Sequence, residues 1–181
     1  NNGYEGFIDH LKSKIIRDEE TGFDFALLQS DKPGTVSNKK YIIMIGGLGM
    51  RNTELIRFTD YIRRLAIEIG IKDDEGKEVG VLFLGLPNID VQNKLNTSDL
   101  KTLKEGDMKP LGDKLLRIIE KQLLDRGSEI ELSLIGYSLG CQVAAALSAS
   151  LAKNQKRLNI KIKSLVMCAW PKPKPGRKFF G

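Results

Sequence analysis

Four apolar runs of strand length recur along the chain, with a helix-period segment between each run and the next. They are YIIMIG at 41–46, VGVLFLGL at 79–86, ELSLIG at 131–136 and NIKIKSLVMCAW at 159–170. The first two are continuous and fit strands covered on both faces, ELSLIG reads as a third apolar strand, and the last alternates at first and is continuous later. Strands alternating with amphipathic helices imply βαβ units, hence a mainly parallel, doubly wound α/β sheet with helices on both faces. The helix expected from about Thr53 to Ile69 carries Leu55, Phe58, Ile62, Leu65 and Ile69 on one face, with Gly70 as its stop. A second is expected from about Lys109 to Arg126, with Leu111, Leu115, Ile118, Ile119 and Leu123 apolar. The third is the Ala-rich segment SLGCQVAAALSASLA. Before these units, residues 13–18 and 23–29 read as two strands joined by the turn EETG, an N-terminal antiparallel hairpin. Residues 30–38 read as loop, and 91–107 are polar and indeterminate.

A length of 181 residues allows one domain, here 1–170, followed by a basic Pro-rich tail at 171–181. No apolar run reaches bilayer length and no signal-peptide layout opens the chain. The net charge of +6 thickens toward the C-terminus, but aromatics do not interleave with the lysines as on a nucleic-acid stacking platform. A solvated basic face is the expectation, with no nucleic acid as partner. Cys141 and Cys168 lie in apolar stretches and read as core thiols, which favours a reducing, cytoplasmic setting.

The segment that carries chemistry is Gly136-Tyr137-Ser138-Leu139-Gly140. This G-x-S-x-G lies between an apolar strand and a small-residue helix. A serine at such a turn projects its Oγ above the sheet, and flanking glycines avoid collision of a Cβ with neighbouring backbone. The helix N-terminus behind it offers partial positive charge where negative charge develops. Ala144, Ala145, Ala146 and Ala149 are expected to let the helix approach the sheet closely.

With these residues the chain resembles the α/β-hydrolase superfamily of serine esterases, lipases, thioesterases and peptidases. The resemblance spans about residues 13–170, although its sharp part is ten residues long. It implies a nucleophile elbow at Ser138 with Gly136 and Gly140 as elbow glycines. It also implies an oxyanion hole formed by the backbone N–H of Leu139 and an N–H from Gly47 or Leu48 in GGLGM, residues 46–50. Where the family often begins this loop with His, this chain has Gly. The pattern GGLGM also suggests a phosphate cradle, but Gly47-Leu48-Gly49-Met50-Arg51-Asn52 lacks the third glycine of a dinucleotide fingerprint, and no Walker ending follows.

A serine nucleophile needs a base oriented by an acid. The only histidine is His10, before the first strand, and it reads as a surface or helix residue; Asp90 reads as a turn residue. In the resembled family the acid and His follow the nucleophile. The expectation is therefore an N-terminal part of a serine hydrolase acting on an ester or acyl substrate. Its catalytic His and acid would lie outside these residues, and the chain alone would be inactive. Partners would be a small-molecule ester or acyl substrate and the missing C-terminal part of the domain, or a chain covering its apolar edge. The alternative is a non-catalytic α/β-hydrolase-like binding or structural module. No cofactor and no metal are expected, since no His/Cys/Asp/Glu cluster has ligand spacing.

Overall fold

A computed structural model describes residues 14–21, 23–46, 52–85, 105–123, 129–137 and 140–168. Among the described residues six strands form one mixed, mostly parallel sheet in the order β1-β2-β4-β3-β5-β6. They are β1 (Ile16–Arg17), β2 (Asp24–Leu28), β3 (Val36–Ile45), β4 (Glu78–Gly85), β5 (Ile130–Tyr137) and β6 (Ile160–Cys168). Helix α1 (Asn52–Glu68) connects β3 to β4, α2 (Glu105–Leu123) lies between β4 and β5, and α3 (Gly140–Lys153) with the short α4 (Gln155–Leu158) leads from β5 to β6. The hairpin expectation holds: β1 pairs antiparallel with β2, and β2 antiparallel with β4, whereas β4, β3, β5 and β6 run parallel.

Side chains alternate across β3, so Ile43 and Ile45 point to one face and Ile42 and Met44 to the other. On the first face they meet Leu115, Leu116, Ile118, Ile119 and Leu123 of α2, and Val143, Ala144, Leu147 and Leu151 of α3. On the second they meet Ala66 of α1, with Ile62 partly buried beside it. Helices therefore lie on both faces. Burial of each large core side chain contributes about 1.5–3 kcal/mol, which makes this apolar sandwich the main source of stability.

Five elements differ from the sequence expectation. The first strand is only Ile16–Arg17, because the chain then bends into a turn in which the Asp18 carboxylate accepts from the N–H and hydroxyl of Thr21. β3 begins at Val36, inside the expected loop. Val36 pairs with Glu78, after which a bulge forms where the Ser37 hydroxyl accepts from the N–H groups of Lys39 and Lys40. That turn chemistry hides a strand start behind polar residues. α2 begins at Glu105, a turn ahead of the expected start near Lys109, and carries Pro110 inside it. The fourth difference concerns α1. Leu65 and Ile69 are exposed, whereas Ala66 and Asp60 are buried, so the face that meets the sheet is rotated from the apolar arc. The last is β5, expected to be covered on both sides. Its burial alternates strictly, since α1 overlies β4 and β3 and leaves the second face of β5 half-open.

Helix α1 ends as its sequence predicts. Gly70 has φ +76°, its N–H donates to the Ile67 carbonyl, and that of Ile71 donates to the Ala66 carbonyl, a Schellman closure.

Candidate functional site

The parallel pairing of β3 and β5 aligns Ile45 with Gly136, so the two strands end side by side. From there the connections diverge: β3 leads through α1 to β4 on one side, and β5 through α3 to β6 on the other. A crevice at the carboxyl ends of strands whose connections part in this way is where open α/β sheets bind ligands. Both motifs singled out in the sequence leave the sheet at this point. GGLGM begins at Gly46, and the serine motif begins at Gly136 as β5 closes at Tyr137.

Gly136 and Gly140 frame the serine turn, and each sits where no side chain fits. A Cβ on Gly140 would stand 2.3 Å from the Ile45 carbonyl oxygen and 2.7 Å from that of Gly46. One on Gly136 would stand 2.7 Å from both the Gly140 carbonyl oxygen and the Cys141 Cα. The first turn of α3 is thus pressed against the end of its own strand and against the end of β3. The Cys141 thiol, fully buried, donates to the Gly136 carbonyl at 3.3 Å and closes the neck of the turn. Reading the sequence for chemistry missed this contact, because a cysteine in an apolar helix carries no signal beyond burial.

Ser138, Leu139, Gly47 and Leu48 lie outside the described residues, as do His10, Asp90 and the tail at 171–181. The structure describes the frame around the expected nucleophile and oxyanion donors: Ile45, Gly46, Gly136, Tyr137, Gly140 and Cys141. Tyr137 is half-buried and packs with Ile135 against the α1-side cluster. No acidic residue occupies the first turn of α3.

The four alanines do not act alike. Ala144 packs in the core and Ala149 is exposed. Beside Ala146 the backbone of α3 approaches α2 so closely that a Cβ on Gly112 would lie 2.8 Å from the Ala146 carbonyl carbon. Small residues therefore serve the α2–α3 contact as well as the sheet. Among the described residues no three His, Cys, Asp or Glu side chains converge as a metal site, and no helix is long and apolar enough to cross a membrane.

No protein-family model matches the chain, and a search of curated proteins finds no match.

Proposed function

We propose that this chain carries the nucleophile-bearing part of an α/β-hydrolase-type serine hydrolase acting on an ester, thioester or amide carbonyl. The observation that carries the reading is the steric frame of the turn. Gly136 and Gly140 both stand where a Cβ would strike backbone, which is what a serine elbow between strand and helix requires. The position of the turn supports it further, since the loop expected to supply the second oxyanion donor leaves the neighbouring strand beside it.

In this reading Ser138 Oγ attacks the carbonyl carbon. The N–H groups of Leu139 and of Gly47 or Leu48 hold the oxyanion at the N-terminal end of α3. The base and its acid come from outside these 181 residues, because the single histidine, His10, precedes the first strand.

Labelling with a fluorescent fluorophosphonate tests the proposal, on this chain and on the longest natural product of its gene, with Ser138→Ala as control. Labelling of the long product that disappears in Ser138→Ala is expected. A folded long product that takes no label overturns the enzyme reading and leaves a binding module that keeps the turn as architecture alone.

A further inference from the structure

Seven large apolar side chains are exposed among the described residues, and four of them crowd into nine positions at the end of α1: Tyr61 (60% exposed), Leu65 (38%), Ile67 (37%) and Ile69 (64%). Tyr61, Leu65 and Ile69 follow one another at i, i+4 and i+8, so they form one stripe along the helix. This is not the helix's core face. Ala66 and Ile62 meet the sheet, and the stripe lies on the adjoining flank. The apolar arc of α1 is wider than the sheet covers, and a contiguous exposed stripe of this kind marks a contact surface.

The charges around the stripe are ordered along the helix. From Arg57 to Arg64 three arginines stand against one carboxylate, the buried Asp60 with which Arg63 and Arg64 pair, whereas Glu68, Asp74 and Glu75 outnumber Lys72 toward and beyond the C-terminal end. A second helix lying parallel would set like charges side by side. One lying antiparallel sets the arginines of each copy against the carboxylates of the other, and the same patch then serves both partners, as a two-fold contact requires.

We propose that this flank of α1 is a self-association surface, with α1 of one copy antiparallel to α1 of a second across a two-fold axis near Leu65. Tyr61 of each copy then packs near Ile69 of the other, and Arg64 faces Glu68. This surface lies apart from the β3 and β5 ends, so it stands independently of the hydrolase reading.

Sedimentation from about 1 to about 200 µM, a range that covers micromolar dissociation constants, tests it on the full chain. The mass is expected to rise toward twice that of the chain. Leu65→Glu is expected to abolish the rise, and Glu68→Arg to weaken association at least about tenfold by placing arginines opposite each other. Far-UV circular dichroism confirms that both exposed-site variants stay folded. A wild-type monomer throughout the range overturns the proposal, whether the stripe stays bare or another segment of the chain covers it. A dimer indifferent to both substitutions overturns it too, by placing the contact elsewhere.

Discussion

Glycine does four different jobs in this chain, and the cost of adding one methyl group separates them. At Gly140 the new Cβ would lie inside the contact distance of two β3-end carbonyls, neither of which is a flexible side chain that could swing away. Gly140→Ala is expected to cost about 3 kcal/mol, the upper end for an overpacked core. At Gly112 the gain in helix propensity of about 1 kcal/mol works against a backbone collision with α3, and the collision wins by about 1 kcal/mol. At Gly70 there is open space but φ is +76°, so alanine costs about 1 kcal/mol through backbone strain alone. At Gly80 the nearest atoms would be 3.5 Å away, ordinary contact, and alanine is expected to change stability by less than about 0.5 kcal/mol. Urea denaturation of the four variants checks the order. A Gly140→Ala protein as stable as Gly80→Ala would show that α3 does not press on β3. Of these roles, only the need for Gly136 and Gly140 and the stop at Gly70 were legible from spacing. Gly112 was not, because no motif marks it and it meets the Ala146 backbone only once α2 packs on α3.

Between elements, carboxylates of the hairpin and of α2 tie the first helical layer together. Asp113 on α2 accepts from the Ser150 hydroxyl of α3 at 2.7 Å and pairs with Lys109 one turn earlier. The Lys109 ammonium chiefly, with the Ser150 hydroxyl, holds its carboxyl below the usual carboxylate range. In the hairpin the Thr21 hydroxyl is the main cause of the lowered pKa of Asp18, and Lys121 of α2 adds to it while also pairing with Glu20. Both carboxyl groups have a lower pKa folded than unfolded. Their stabilisation is therefore complete above the ordinary carboxylate pKa and is lost as pH falls through the lowered folded values. The urea midpoint is expected to fall between about pH 5 and about pH 2, and to fall less in Asp113→Asn. Ser150→Ala, which leaves Asp113 one donor short, is expected to cost about 1 kcal/mol at neutral pH. An identical acid limb in wild type and Asp113→Asn would remove Asp113 from this account. Lys109–Asp113 and Thr21–Asp18 are local pairs at helix and turn spacing, whereas Ser150–Asp113 and the pairing of Lys121 with Asp18 and Glu20 could not be read from sequence, since they form only when α2 lies beside α3 and the hairpin.

At the scale of the whole molecule, among the described residues the second face of the sheet is covered only where α1 lies, and β6 is the outermost strand on its side. Its first half is guarded by Lys161 and Lys163, the latter pairing with Glu131 of β5 together with Lys40. Beyond Ser164, Leu165 and Val166 are exposed, 36% and 47%. Lysines on an edge oppose pairing with another chain, and an unguarded apolar half invites it. Val166→Lys is expected to lower light scattering on mild heating without lowering the urea midpoint. Unchanged scattering would mean that aggregation starts elsewhere.

The sequence by itself determined the class of fold and the need for glycine where β5 gives way to α3, because both rest on local pattern: apolar runs of strand length, helix-period spacing, and glycines where strand turns into helix. Tertiary structure alone decided that β4 lies on one side of β3 and β5 on the other, which sets the two motif-bearing strand ends together. It also decided which flank of α1 meets the sheet. Strand order and helix rotation follow from how faces far apart in the chain pack against one another, and no local pattern encodes that choice.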